Sequence, residues 1–96
     1  MRRDKALALL ATHQEELRQL GAESLALFGS VARDEAGPAS DVDVLVTLRR
    51  PVGLFGFFDI QERLTAILDR PVDLVTPDSL KRQLKERILR EAINAT

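Results

Sequence analysis

Apolar residues recur along the first twenty positions with a helical period. Ala6, Leu10, Leu17 and Leu20 fall on one side at about 100° per residue, and Gly21 follows as a natural stop. The pattern predicts a helix over 3–20. A short apolar run over 24–28, Ser-Leu-Ala-Leu-Phe, has the length of a strand and ends at Gly29. A brief helix is expected over 30–35, and Ala36-Gly37-Pro38-Ala39-Ser40 is turn chemistry. Val42–Leu48 alternates around two aspartates and is rich in β-branched residues, which predicts a strand. Pro51 and Gly53 open a loop. A second long helix is expected over 57–70, with Phe57, Ile60, Leu64, Ile67 and Leu68 on its buried side. Val72–Val75 reads as a third strand. Thr76, Pro77 and Asp78 then offer a cap, a first-turn proline and a first-turn acid for a last helix, whose apolar stripe is Leu80, Leu84, Ile88 and Ala92.

The order is α-β-α-β-α-β-α, which implies a sheet covered by helices. The link over 30–40 is too short for a crossover carrying a full helix, so the first two strands are expected to be antiparallel. The longer connection over 53–70 suits a parallel pair. The fold class is therefore α/β (α+β), a small mixed β-sheet flanked by helices, in a single domain over 1–96.

Composition narrows the chemistry. Lys+Arg 14 against Asp+Glu 15 gives a formal net charge of -1, which argues against strong nucleic-acid binding, since that normally needs a basic surplus. Without cysteine there is no disulfide, thiolate or zinc-cysteine chemistry. The one histidine, His13, excludes a multi-histidine metal site within the chain and argues against a Ser-His-Asp hydrolase. No apolar run approaches the about 20 residues that a membrane span needs, and the expected location is cytoplasmic.

The informative stretch is Leu27-Phe28-Gly29-Ser30-Val31-Ala32-Arg33, followed by Ser40-Asp41-Val42-Asp43-Val44. Strand side chains alternate between faces, so Asp41 and Asp43 point the same way and Val42 and Val44 the other. Two carboxylates so close repel unless a cation lies between them. Hard oxygen donors of this kind suit Mg²⁺, which binds through one or two carboxylates together with substrate phosphates. Asp73, in the middle of the third strand, would be costly there without a partner. It joins the same cluster if its strand neighbours Val42–Leu48, giving the set that a two-metal phosphoryl- or nucleotidyl-transfer site uses. Gly29 allows a phosphate close to the backbone at a helix start, the Ser30 hydroxyl offers another donor, and Arg33 lies one turn on, within reach of the same phosphates.

Gly29-Ser30, Ala32-Arg33, Ser40-Asp41-x-Asp43 and the later Asp73 resemble the signature of the DNA polymerase β-type nucleotidyltransferase superfamily. The length and the GSxAR…SDxDxLV form are similar to its minimal nucleotidyltransferases (MNT). The resemblance implies a polymerase β-like nucleotidyltransferase fold, metal ligands at Asp41 and Asp43, and Asp73 as a third metal-binding carboxylate that activates the attacking hydroxyl. It further implies phosphate binding at Gly29 and Ser30, two Mg²⁺ ions, and ATP as substrate. Asp34 departs from the pattern, since such proteins often carry glycine after the arginine. Many minimal members are antitoxins that pair with a HEPN-domain ribonuclease toxin and move AMP onto a toxin tyrosine, so a HEPN toxin partner in a hetero-oligomer is expected. Two alternatives stand beside this expectation. One is a non-catalytic module that masks a toxin; the other is a catalytic subunit that modifies a small molecule such as an aminoglycoside.

Other features have plainer readings. His13, near the apolar side of the first helix, reads as a half-buried histidine with a local hydrogen bond. Phe55, Phe57 and Phe58 crowd one segment, where Phe57 fits the core face and the others suit either local packing or a partner. Lys81, Arg82, Lys85, Arg87 and Arg90 make the last helix basic, which reads as a solvated face.

Overall fold

The computed structural model describes residues 1–95. The apolar stripe of the first segment forms two helices in place of one, α1 (Arg3–Thr12) and α2 (Gln14–Gln19). The Thr12 hydroxyl donates to the Ala8 carbonyl at 2.9 Å, a back-bond that bends helices, and His13 leaves helical geometry at φ -102° and ψ 16°. Ala6, Leu10 and Leu17 are buried across the break, so the stripe survives it. Gly21, at φ +114°, turns the chain into β1 (Ala22–Phe28), and a methyl group there would strike Val52.

One turn of helix, α3 (Gly29–Ala32), follows and is shorter than the expected 30–35. Asp34 ends it in the left-handed region at φ 60°, a conformation that aspartate adopts more readily than most residues. Its carboxylate accepts from the Arg3 backbone N–H at 3.0 Å and from the Arg2 guanidinium at 3.1 Å. The departure at Asp34 therefore caps the start of α1 from 31 residues beyond Arg3.

β2 (Val42–Leu48) runs antiparallel to β1, and β3 (Val72–Val75) runs parallel to β2. Between them α4 (Gly53–Leu68) begins four residues earlier than expected and ends two earlier, so Gly53 opens the helix itself. Asp69 closes it at φ 53°. The last helix departs further from the sequence pattern. Thr76, Pro77 and Asp78 start a single 3-10 turn (Pro77–Ser79), after which Leu80 and Lys81 are extended and α5 covers Arg82–Glu91. Ser79 donates its hydroxyl back to the Thr76 carbonyl at 2.8 Å, closing that turn on itself. Ile88 is buried while Leu84 is 46% exposed, so the expected stripe is not a continuous buried seam. A fourth strand, β4 (Ile93–Asn94), pairs antiparallel with β1. Its two residues carry no periodic signal.

The sheet order is β3-β2-β1-β4, the mixed sheet that the connection lengths imply. Alternation divides it into two unequal faces. Leu25, Leu27, Val42, Val44, Val46, Val72 and Leu74 point to the main core, where Ala6, Leu10, Leu17, Val31, Ile60, Leu64 and Leu68 meet them. Ala26, Phe28 and Leu45 point to the other face, where they pack with Ile88 of α5. Residues 41 and 43 of the second strand segment and 73 of the third belong by alternation to this thinly covered side.

Candidate active site

The register sets the acidic group. Asp43 lies between Phe28 of β1 and Asp73 of β3, each its direct neighbour across the sheet. Adjacent strands are about 4.8 Å apart, so the carboxylates of Asp43 and Asp73 share one neighbourhood. Asp41 precedes β2 on the same side and is exposed. Asp43 is half-buried, and its carboxyl is pushed above the usual carboxylate range. Burial is the largest cause; the charges of Asp73, Asp41 and Glu91 add to it, and Arg33 opposes them. Asp73 itself is exposed on an edge strand, so the burial cost that the sequence suggested for it does not arise. That cost falls on Asp43, on an inner strand.

Gly29 is fitted to Asp43. Its φ of +71° belongs to the left-handed region, and an added Cβ would collide with the Asp43 Oδ2. Only glycine both adopts this turn and lets the carboxylate lie against the backbone. The Gly29 N–H donates to Glu91 Oε1 at 3.1 Å. Arg33 reaches the same oxygen through Nη1 at 3.4 Å and bonds Glu35 through Nε at 3.2 Å. Ser30 is half-buried beside Gly29. The fold thus brings Gly29, Ser30, Arg33, Asp41, Asp43 and Asp73 to one end of the sheet. Glu91, which nothing in the sequence pattern singled out, joins them through the packing of α5.

The donor set is all oxygen and mostly carboxylate, which suits a hard divalent cation. Among the described residues, no three acidic side chains converge on a point that would enclose one. The fit therefore lies in donor chemistry and backbone placement. The surplus negative charge at Asp43 is what a bound cation would relieve.

His13 lies away from this end, half-buried, with Nδ1 2.8 Å from the Glu16 carboxylate. Arg63 of α4 bonds that carboxylate at 2.8 Å. Hydrogen bonds from Arg63 and His13 hold the Glu16 carboxyl below the usual range. The group ties α2 to α4 and is the local hydrogen bond expected for His13.

Known proteins share this sequence pattern and fold. Residues 10–95 match the family model described as a nucleotidyltransferase domain. The protein adenylyltransferase MntA of Thermococcus cleftensis is 39% identical over 87 residues, covering 90% of this chain and 88% of its own length. A solved minimal nucleotidyltransferase superposes with a TM-score of 0.84 at 33% identity, over 97% of this chain and 95% of that one. The fold also recurs, at 20% identity and a TM-score of 0.66, in a complex of a tri-AMPylated Shewanella oneidensis HEPN toxin with its MNT antitoxin. That match covers 94% of this chain and 71% of the other. With the glycine turn and the acidic strand pair at one end of the sheet, the chain belongs to the nucleotidyltransferase-domain family, as one of its minimal nucleotidyltransferases.

Proposed function

We propose that the protein moves AMP from ATP onto a tyrosine hydroxyl of a HEPN-domain toxin, acting as its antitoxin in a single domain over 1–96 in the cytoplasm. The observation that carries this reading is the pairing of Asp43 with Asp73 across the sheet, with Gly29 set against the Asp43 carboxylate. The N–H of Gly29, the Ser30 hydroxyl and the Arg33 guanidinium would hold the triphosphate. Asp41, Asp43 and Asp73 would hold Mg²⁺, which neutralises charge on the α-phosphate and the departing pyrophosphate when bound. Asp73, exposed on the edge strand, faces an incoming acceptor and takes the hydroxyl proton. The acceptor oxygen then bonds to the α-phosphorus as the bond to the bridging oxygen breaks, and pyrophosphate leaves with that electron pair.

The similarity to MntA supports adenylyl transfer, and the tri-AMPylated toxin bound to an MNT antitoxin supports the acceptor class. This chain has no tyrosine, so a tyrosine acceptor belongs to another molecule. Leu54, Phe55 and Phe58 at the start of α4 are 66%, 84% and 47% exposed, and such apolar surface suits a protein partner.

The test is incubation with Mg²⁺ and α-labelled ATP, with and without a HEPN toxin encoded beside it, and with Asp43→Asn in parallel. Label on a toxin tyrosine that requires Asp43 is the expected result. Label that persists in Asp43→Asn removes the site assignment. A labelled small molecule would identify a small-molecule transferase, and tight toxin binding without label would identify a masking module.

A further inference from the structure

The groups proposed to hold phosphate are already in contact with an anion, and it belongs to the chain itself. Glu91 Oε1 accepts from the Gly29 N–H at 3.1 Å and from Arg33 Nη1 at 3.4 Å. These two donors come from β1–α3, while the acceptor comes from the last residue of α5, 62 positions from Gly29. The carboxylate is not on a loose tail. Ile88, one turn earlier, is buried against Ala26, Phe28 and Leu45, and β4, two residues later, pairs with Ala26 and Leu27. The framework on both sides of Glu91 thus holds it against the glycine turn. Its side chain is 28% exposed and so borders solvent.

We propose that Glu91 is an autoinhibitory occupant of the phosphate cradle, which the triphosphate of the nucleotide must displace. This rests on the reading of Gly29 and Arg33 as phosphate contacts. The chemistry is direct competition. A carboxylate and a phosphate seek the same N–H and guanidinium donors, and both cannot hold them together. Glu91 also adds negative charge beside Asp43, which repels an incoming triphosphate until it swings away. When it leaves, Arg33 Nη1 and the Gly29 N–H are freed together, while Arg33 Nε stays paired with Glu35. The nucleotide-free protein therefore keeps its donors paired instead of exposed, at the expense of nucleotide affinity.

The test is calorimetric titration of the wild type, Glu91→Gln, Glu91→Ala and Glu86→Gln with Mg²⁺ and α,β-methylene-ATP, which cannot be cleaved at the reacting bond. Glu86 lies on the same helix, beside Arg82 at 3.9 Å, and its substitution removes the same charge without touching the cradle. Loss of the Glu91 carboxylate should lower Kd by about three- to tenfold, while Glu86→Gln leaves it unchanged. In the wild type the Gly29 amide resonance should shift on titration, and in Glu91→Gln it should start from a different position. A Kd equal to or weaker than wild type in both Glu91 variants, with both folded by circular dichroism, overturns the proposal. So does an equal gain in Glu86→Gln, which would mark a bulk charge effect. If the wild type binds normally and only the Glu91 arm fails, the nucleotide site stands. If no variant and no wild-type protein binds, the phosphate-cradle reading falls, and this proposal with it.

Discussion

At the scale of single residues, Gly29 and Asp43 form one unit. The left-handed turn at Gly29 and the contact with Asp43 Oδ2 make alanine unwelcome for two reasons, backbone strain and collision. The strain alone costs about 1–2 kcal/mol, and the collision pushes the carboxylate out of its place. Gly29→Ala is therefore expected to lose at least about 100-fold in transfer rate while remaining folded, since a small misplacement at a reacting centre has that effect. Labelling by α-labelled ATP measures the first, and near-native circular dichroism measures the second. Asp43→Asn isolates the other half of the pair. It removes a carboxylate that burial and three neighbouring acids already disfavour, so the metal-free variant should melt no lower than wild type while turnover is lost. A large drop in its melting temperature would mean that Asp43 is structural. Both residues were legible in the sequence, because a glycine at a strand end and a DxD at a strand start are local signals. The reason that Gly29 must be glycine was not legible, since its obstacle is an atom fourteen residues away.

At the scale of elements, the ends carried the surprises. Capping logic placed the last helix at Thr76, yet those residues close only a 3-10 turn, and α5 begins at Arg82. Thr76, Pro77 and Asp78 are favourable for any helical turn, and such signals do not say how far the helix continues. The start of α1 shows the converse. Arg2 precedes it and makes no side-chain cap, and Asp34 from the turn after α3 does the capping. Hydrogen bonding to the Arg3 N–H, followed by the charges of Arg2 and Arg3, holds the Asp34 carboxyl below its ordinary value of 3.8. A depressed carboxyl stabilises the fold while it is ionised. That contribution is present above the unfolded-state value near 3.8 and is lost as pH falls through the lower folded-state value. Thermal melts of Asp34→Ala should therefore lie below wild type at neutral pH, and the two curves should converge as the pH drops below 3.8. Parallel curves at every pH would show that the carboxylate charge is irrelevant to α1.

At the scale of the whole molecule, the unequal covering of the sheet gives a reason for where the candidate site lies. One face meets α1, α2, α3 and α4 over a broad core, and the other meets little besides α5 through Ile88. The proposed site for a nucleotide and a protein acceptor needs open sheet, and the thin face offers it at the end where Asp43 and Asp73 pair. The same economy leaves α5 with one buried anchor, Ile88. Ile88→Ala should cost about 2–5 kcal/mol, read from urea denaturation. Hydrogen exchange should show the amides of α5 and β4 opening faster while β1 and β2 keep their protection. Uniform acceleration through the sheet would mean that α5 is an integral part of the core. The exposed Leu54, Phe55 and Phe58 belong to this scale too. Periodicity placed Phe57 inward and left Phe55 and Phe58 undecided, because the outward side of a helix has no register to fix it.

The sequence by itself determined the strands that matter, their mixed pairing, and the residue types of the candidate site. These rest on short-range physics: alternation along a strand, loop length between strands, and the conformational freedom of one glycine. Only the tertiary structure decided that Asp43 and Asp73 are direct neighbours, that Asp43 rather than Asp73 bears the burial cost, that Asp34 caps a distant helix, and that Glu91 reaches the glycine turn. Each of these joins residues far apart in the chain. Their energies depend on register and packing, which no local pattern encodes.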